Sequence, residues 1–435
     1  MLNAPQPVGA DDRPNALSVR NFRLFFAGLL ISVTGPWMQT TAQAWLVLQL
    51  TNSSLALATV ASLQFLPIML LALVGGAVAD RFPRRKLMFF TQSFAAAQAL
   101  VLGTLIATDY LTIWHIYVLA ITLGIINALD NPLRTAFVSE LVGLKALPNA
   151  IALVSMIQNM GRIVGPAIGG IALASFGVGA AFFLNAATFL AILLALVMIR
   201  GSELQVARFS SKQSVLSQIG ESIGYARRTP TILFLLIAAA FIGMFGQNFT
   251  TMVPLVSNFL VHASAAEFGL LNSCLGIGSF LAALSLTRRG VPSTHRILGS
   301  GLAFGILLAA ISMSSNLWLS GALFACVGAA AVTFSASVST SLQIQSPPDM
   351  RGRFASMVHL LITGSSPIGA MLTGLMAESL GVATSIAANG LFCCIGMALA
   401  WTYVRQVRGT GSFDLGTAPP VLHAENAAKS VKLAK

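Results

Sequence analysis

Charged side chains are scarce in this sequence of 435 residues. Asp, Glu, Lys and Arg together make up 9% of the chain, whereas 56% of its residues are hydrophobic. A soluble domain carries about 25% charged residues, which cover its surface and keep it in solution. The composition therefore excludes a soluble globular fold.

Residues that hold metals, form disulfides or catalyse reactions are also few. The cysteines all fall within apolar runs, and the histidines lie in separate segments without the spacing of metal ligands. These residues are Cys274, Cys326, Cys393 and Cys394, and His115, His262, His295, His359 and His423. The sequence also has no Gly-x-x-x-x-Gly-Lys-Ser/Thr loop for a nucleotide phosphate. We therefore expect no disulfide framework, metal, cofactor or enzymatic activity, and no direct use of ATP.

Long apolar runs dominate the chain. A bilayer core of about 30 Å is crossed by about 20 apolar residues in a helix, and twelve runs reach that length. We number the predicted transmembrane helices one to twelve. They begin near Leu24, Leu55, Leu87, Ile113, Ala150, Ala181, Ile232, Gly269, Ile297, Leu317, Phe354 and Ser385. The sequence predicts an all-α membrane protein.

The few basic residues lie on alternate sides of these helices. Lys and Arg occur before helix one and after every even-numbered helix, whereas the six opposite loops contain neither. Because short cytoplasmic loops concentrate Lys and Arg, we expect both termini to be cytoplasmic. The net charge of +12 then reflects orientation in the lipid bilayer, and we expect no binding of nucleic acid.

The longest polar stretch inside the chain separates two groups of six helices. We predict a cytoplasmic tail over residues 1–19, six-helix bundles over 20–200 and 230–405, a cytoplasmic linker over 201–229 and a second tail over 406–435. A repeat shifted by 204 residues supports two parallel halves. It pairs Gly170, Ser175, Gly177, Val178 and Asn185 with Gly374, Ser379, Gly381, Val382 and Asn389.

The loop after helix two contains a glycine, an Asp-Arg pair and two more arginines at fixed spacing. These residues are Gly76, Asp80, Arg81, Arg84 and Arg85. The pattern resembles the signature loop of the major facilitator superfamily, with Pro83 at the position of the family's second glycine. The resemblance implies that Asp80 forms a cytoplasmic gate with Arg84 and with the start of helix eleven. The alternative is that the loop is only a positively charged anchor.

Helix five contains the pattern Gly-x-x-x-Gly-Pro-x-x-Gly-Gly, formed by Gly161, Gly165, Pro166, Gly169 and Gly170. Within this superfamily the pattern resembles that of exporters and antiporters. Glycines four residues apart make one helix face smooth, so that another helix can approach closely. The alternative is that the stripe serves packing alone. We take the full match as the main reason to favour export over uptake.

Arg162 lies within that motif, near the middle of the predicted helix. A charge at this depth needs a partner or a function. Because acidic residues are rare in the helices, we predict Asp130 of helix four as the protein partner, and backbone carbonyls, cavity water or an anionic substrate as alternatives. Asp130 and Arg134 lie four residues apart on one helix face and are also expected to pair.

Other segments narrow the resemblance. Residues 149–153 read Asn-Ala-Ile-Ala-Leu, and residues 348–353 read Pro-Asp-Met-Arg-Gly-Arg. Together with the two motifs, they make residues 15–405 similar to the bacterial branch of siderophore exporters and macrolide efflux pumps. The resemblance implies the major facilitator fold, with a cavity near the middle of the bilayer. Polar candidates for this cavity are Gln39, Thr40, Gln43, Asn159, Gln247 and Asn248, each of which alternatively forms an interhelical hydrogen bond.

These expectations describe a monomeric transporter in a bacterial inner membrane. We expect a proton-coupled exporter of an amphipathic or lipophilic small molecule. Helix one lacks the acidic residue that many drug-proton antiporters carry there, which leaves Asp130 and Asp80 as the candidate proton carriers. The alternatives are an importer of a nutrient or metabolite and a membrane scaffold or sensor that does not transport.

Overall fold

The computed structural model describes residues 15–205, 222, 224–287, 290–347 and 350–408. The side chains of residues 72–74, 76, 77, 79, 80, 407 and 408 lie outside this description. The described residues are almost entirely helical and contain no strand. Many large apolar side chains, such as Phe94, Trp114 and Leu190, are more than half exposed on the outer helix faces. A bilayer would cover these side chains, which agrees with an all-α membrane protein.

The twelve predicted helices are present. Among the described residues, ten helical elements are long and apolar enough to cross a membrane. One of them contains two predicted helices, and helix one is divided into two shorter pieces. Helices one to six are Arg20–Ser32 with Thr34–Thr51, Ser54–Arg81, Arg84–Ala107, Ile113–Phe176 for helices four and five together, and Val178–Met198. Helices seven to twelve are Pro230–Leu260 with interruptions, Ala265–Leu286, Thr294–Ile311, Leu317–Gln345, Arg351–Leu380 with one interruption, and Val382–Arg408.

Helices four and five meet at Gly143, which has φ +68° and ψ +174° inside an otherwise helical run. Helix five therefore begins directly after this residue, well before the expected start near Ala150. The side chain of Gln205 packs against Gly143, and the Gln205 N–H donates to the carbonyl of Glu140 at 2.8 Å. A residue with a Cβ would be strained in this conformation and would collide with Gln205.

Three of the predicted membrane helices are interrupted within the described residues. Helix one is divided at Val33, between its two pieces. Helix seven contains π-helical turns at Ile242–Gly246 and Val256–Leu260 and leaves helical geometry at Gln247. Helix eleven contains a third π-helical turn at Leu360–Gly364. Such wide turns frequently lie at functional sites.

The chain forms two compact units. Of the described residues, the first unit comprises 15–205 and 263–273, and the second comprises the others. Residues 263–273, which include the start of helix eight, therefore group with the first six helices. The predicted linker, residues 201–229, lies largely outside the described residues.

The core of the first unit is aromatic at one end. Phe25 of helix one meets Phe137 of helix four edge to face, with 5.6 Å between ring centroids. Nearby, the amide of Asn21 closes a reciprocal pair with the backbone of Arg200: its Nδ2 donates to the carbonyl at 3.0 Å, and its Oδ1 accepts from the N–H at 3.1 Å. The beginning of helix one is therefore fixed to the end of helix six.

The turns of the predicted repeat adopt the same conformation in both units. Gly177, between helices five and six, has φ +78°, and Gly381, between helices eleven and twelve, has φ +88°. Each is followed directly by a valine that begins the next helix. Asn185 and Asn389, seven residues after those valines, are both buried. The two turns therefore have the equivalent conformations that the repeat predicts.

Candidate functional site

The arginines of the loop after helix two bind different parts of the first unit. Arg84 pairs with Glu140, with 2.9 Å between Nη1 and Oε1. Arg85 donates to the carbonyls of Leu196 and Val197, at 2.6 and 2.9 Å. A cation at these carbonyls is favourable because they end helix six. The loop is therefore held against helices four and six, through acceptors that sequence analysis did not assign to it.

The other residues of the loop motif are Gly76, Asp80 and Arg81. Arg81 is exposed, whereas Gly76 and the Asp80 side chain lie outside the described residues. The predicted gate at Asp80 therefore stays a prediction.

Asp130 is the centre of a buried polar cluster between helices three and four. Its Oδ2 accepts from Arg134 Nη2 at 2.8 Å, and its Oδ1 accepts from Thr91 Oγ1 and Gln92 Nε2, both at 2.8 Å. The expected contact between Asp130 and Arg134 is present. The prediction that Asp130 is the partner of Arg162 is wrong, because Asp130 is 3% exposed and its oxygens bind these other donors.

A chain of amide side chains connects helices one, three and six. Gln39 Nε2 donates to Gln98 Oε1 at 3.0 Å, and Asn185 Nδ2 donates to Gln39 Oε1 at 2.5 Å. All three residues are at most 4% exposed. In this structure Gln39 therefore forms interhelical hydrogen bonds. Gln98 and Asn185 were not proposed as site residues from sequence, since an isolated amide in an apolar run gives no sign of its partner.

Two other candidates of helix one are also hydrogen-bonded. Gln64 Nε2 of helix two donates to Gln43 Oε1 at 3.2 Å, whereas the buried Gln43 Nε2 has no hydrogen-bond partner. Thr40 Oγ1 donates to the carbonyl of Pro36 within its own helix, at 2.8 Å. Of the three candidates on this helix, Gln43 alone retains a free buried donor.

The glycines of helix five form the tight contact that their spacing predicts. A Cβ at Gly165 would lie 2.5 Å from the Trp37 Cβ and 2.8 Å from the Thr34 carbonyl oxygen, and one at Gly169 would lie 3.2 Å from the Met38 Cα. Such distances are shorter than the 3.5 to 4.0 Å or so of a normal carbon contact. The smooth stripe of helix five therefore packs against the backbone of helix one.

The other end of the motif packs against residues 263–273 of the same unit. A Cβ at Gly170 would lie 2.8 Å from the Gly269 Cα. Ser273 Oγ donates to the Ile163 carbonyl at 3.1 Å. Trp45 and Phe268 stack with 5.8 Å between ring centroids. Helix five is thus enclosed on two sides where its glycines lie.

Arg162 stacks over an aromatic ring. Its guanidinium carbon lies 5.3 Å from the centroid of the Trp37 ring. In the described part of the chain, Arg162 forms neither an ion pair nor a hydrogen bond. A cation–π contact contributes about 0.5 to 2 kcal/mol, whereas placing an arginine at the centre of a membrane helix costs at least about 2.5 to 3.5 kcal/mol. Trp37 alone therefore does not offset the cost of this charge.

Arg162 belongs to a polar stripe of helix five that includes Ser155 and Asn159, all three exposed. Asn159 Nδ2 donates to the Ser155 carbonyl at 2.9 Å. The exposed apolar residues Met160 and Val164 lie two residues away from Arg162 on either side. Because two residues turn a helix by about 200°, Arg162 lies nearly opposite Met160 and Val164 on helix five.

In the second unit, two candidate residues lie where helix seven is interrupted. Gln247 Nε2 donates to Ser335 Oγ of helix ten at 2.8 Å. Asn248 is fully buried, and its Nδ2 donates to the Met244 carbonyl at 2.7 Å, while its Oδ1 has no hydrogen-bond partner. Gly243, in the first π-helical turn, packs directly on the backbone of Leu361 in helix eleven. The interruptions of the two helices therefore touch.

Comparison with solved structures identifies the fold. A bacterial homologue of the human lysosomal transporter Spinster, in an inward-facing and occupied conformation, matches this chain with a TM-score of 0.69 and 15% sequence identity. The match covers 89% of this chain and 97% of the other. At this identity the likeness establishes the fold alone. The protein has the fold of major facilitator transporters, with multiple membrane-spanning helices.

Comparison of the sequence then identifies the family. A profile of the transmembrane secretion effector family matches residues 14–430, and the chain belongs to this family of major facilitator superfamily transporters. It is 25% identical over 378 residues to the staphyloferrin A transporter of Staphylococcus aureus, covering 85% of this chain and 92% of that protein. It is also 25% identical over 377 residues to the multidrug efflux pump Tap of Mycolicibacterium fortuitum, covering 85% and 91%.

Proposed function

We propose that the protein is a proton-coupled exporter of an amphipathic small molecule that works by alternating access. The observation that carries this proposal is the helix-five motif, whose glycines Gly161, Gly165 and Gly169 pack directly on helix one. By resemblance this motif belongs to exporters and antiporters. Relatives named as a multidrug efflux pump and a siderophore transporter support the same direction.

Asp130 is the proposed proton carrier. It is the buried carboxylate of the described helices, and Arg134, Thr91 and Gln92 all donate to it. Protonation would remove its negative charge and convert one of its oxygens from acceptor to donor. The pair with Arg134, which lies within helix four, would then lose its electrostatic attraction. Thr91 and Gln92 of helix three would lose their charged acceptor, so the contact between helices three and four would weaken.

The proposed gate lies in the loop after helix two. Arg84 and Arg85 hold this loop on helices four and six, which leaves the preceding Asp80 to close the cytoplasmic side. The orientation with both termini in the cytoplasm, the bacterial inner membrane as location and a monomeric state belong to the same proposal. A green fluorescent protein fused after Lys435 should fluoresce, since it folds in the cytoplasm. A dark fusion at normal expression would contradict this orientation.

Transport in everted membrane vesicles tests direction and coupling together. The probes are ethidium, Nile red and 1-pyrenebutyrate, which are cationic, neutral and anionic amphipathic dyes. We expect respiration to drive accumulation of at least one dye in vesicles that contain the protein, and a protonophore to abolish this accumulation. Vesicles without the protein are the control. Uptake only into right-side-out vesicles would identify an importer, and no flux in either orientation would favour a scaffold or sensor.

The Asp130→Asn variant separates coupling from binding. If Asp130 carries the proton, the variant loses accumulation driven by the proton gradient but retains dye binding and downhill exchange. A variant that retains driven accumulation at equal expression would remove Asp130 from the coupling mechanism.

A further inference from the structure

We propose that Arg162 and Trp37 form a recognition site for the carboxylate of an amphipathic organic anion, which is the chemical class of the cargo. This inference rests on the proposed function, since it specifies what the transporter binds. Its first support is the incomplete bonding of Arg162. The guanidinium lies 5.3 Å from the Trp37 ring centroid and, among the described residues, forms no ion pair.

The second support is the face of helix five on which Arg162 lies. Arg162 is exposed, with the exposed Ser155 and Asn159 on the same stripe, nearly opposite the apolar stripe of Met160 and Val164. An arginine that served an anionic lipid would lie on or beside the apolar stripe. The position of Arg162 therefore favours a solute that reaches the polar face.

The third support is the shape of the surroundings. Gly161 and Gly165 hold helix five against helix one, and this contact brings Trp37 under the guanidinium. An aromatic ring fixes the guanidinium plane from one side and leaves its N–H donors free. A guanidinium matches a carboxylate with two parallel hydrogen bonds, and the partly exposed Trp37 side chain offers apolar contact to the rest of the molecule. Together they fit a ligand with one carboxylate and an apolar body.

Three other arginines of the first unit differ from Arg162 in their bonding. Arg84 pairs with Glu140, Arg134 pairs with Asp130, and Arg85 binds the end of helix six. Each of these arginines already has an acceptor, whereas Arg162 is left with an aromatic face. The same geometry recurs at Arg405, which lies 5.0 Å from the Trp401 ring centroid near the end of helix twelve, and this residue supplies a matched control.

The test measures binding to the purified full-length protein in phosphatidylcholine nanodiscs. The probes are 1-pyrenebutyrate and 1-pyrenebutanol, which share the ring and chain and differ in the carboxylate. We expect the wild-type protein to bind the anion about tenfold or more tightly than the alcohol, because a hydrogen bond to a charged group gives about this preference. Arg162→Gln should remove the preference and leave binding of the alcohol unchanged.

Further variants control for folding and for charge in general. Arg162→Lys keeps the charge and loses the paired donors, so it should retain part of the preference. Arg405→Ala should retain all of it. Equal affinity of the wild-type protein for the two probes would overturn the inference even if the Arg162→Gln protein failed to fold. An equal loss of affinity for both probes in the Arg162→Gln protein would also overturn the inference.

Three outcomes separate this inference from binding of a lipid and from the proposed function. If phosphatidylglycerol nanodiscs abolish the preference for the anion, the site binds a lipid headgroup and the assignment to cargo is wrong. Driven export of a neutral dye, with no preference for the anion, would leave the proposed function intact and refute the inference. A preference for the anion without driven flux of any dye would refute the proposed function and leave the binding site standing.

Discussion

Replacing Gly165 by alanine should destabilise the protein, although the same change elsewhere in a helix stabilises it. The added Cβ would lie 2.5 Å from the Trp37 Cβ and 2.8 Å from the Thr34 carbonyl oxygen. A normal carbon contact is about 3.5 to 4.0 Å, so helix five must move away from helix one by about 1 Å. Neither neighbouring atom is the end of a flexible side chain, and the strain cannot be relieved by a change of rotamer.

Two opposing terms set the magnitude. Alanine favours the helix over glycine by about 1 kcal/mol, whereas overpacking a tight contact costs about 1 to 3 kcal/mol and also lengthens every neighbouring contact between the two helices. We expect the second term to prevail at Gly165. Gly179 of helix six is the matched control, because a Cβ there would meet its nearest atom at an ordinary 3.5 Å.

The assay is thermal unfolding of the purified protein in detergent, followed by tryptophan fluorescence. Gly165→Ala should lower the apparent Tm, and Gly179→Ala should leave it unchanged or raise it. Gly169→Ala should fall between them, since its nearest atoms lie at 3.2 Å. Equal Tm values for the Gly165 and Gly179 variants would refute the tight contact between helices one and five.

Three further experiments test separate parts of the structure by the same unfolding measurement. Asp130→Asn should lower the free energy of unfolding by about 1 to 3 kcal/mol. This is less than the loss of a fully buried pair, because Arg134 is 24% exposed. The added change Arg134→Gln should restore part of this free energy. Gly177→Ala should cost about 1 to 3 kcal/mol, because only glycine readily adopts its φ of +78° and ψ of +174°. Asn185→Ala and Gln39→Ala should show a coupling energy of about 0.6 to 1.7 kcal/mol in a double-mutant cycle, the range of interhelical hydrogen bonds in membranes.

Each of these predictions has an opposing result. If the second change at Arg134 lowers stability further, the two side chains do not act as a pair. An alanine at position 177 without effect would contradict the backbone conformation of that turn. Additive losses in the cycle would show that the short contact between the two amides carries no energy.

The positions of the helices followed from hydropathy because each helix must satisfy its own backbone within the lipid. The predicted starts of helices two, four and ten, near Leu55, Ile113 and Leu317, lie within a residue of the observed ones. Helix five begins earlier than predicted, because the backbone conformation of Gly143 ends helix four there. Hydropathy does not reveal such a conformation. The turns at Ile242–Gly246 and Leu360–Gly364 escaped prediction for the same reason.

The partners of polar residues were harder to predict. The spacing of Asp130 and Arg134 placed them on one helix face, and they meet as expected. Arg162 was matched with Asp130 because carboxylates are rare, but Asp130 binds helix three and Trp37 lies under the guanidinium. Sequence spacing relates residues on one helix. It carries no information about which faces of two helices meet.

The pairing of Asn21 with the backbone of Arg200 has a consequence for biosynthesis. The two residues are separated by 179 positions, so the amide of Asn21 has no partner while helices two to five are being made. The contact between the start of helix one and the end of helix six therefore forms only after helix six has left the ribosome, and an intermediate with five helices leaves the Asn21 amide without this partner. A quality-control protease that recognises such exposed groups in the membrane would distinguish a truncated chain from a complete one at this contact.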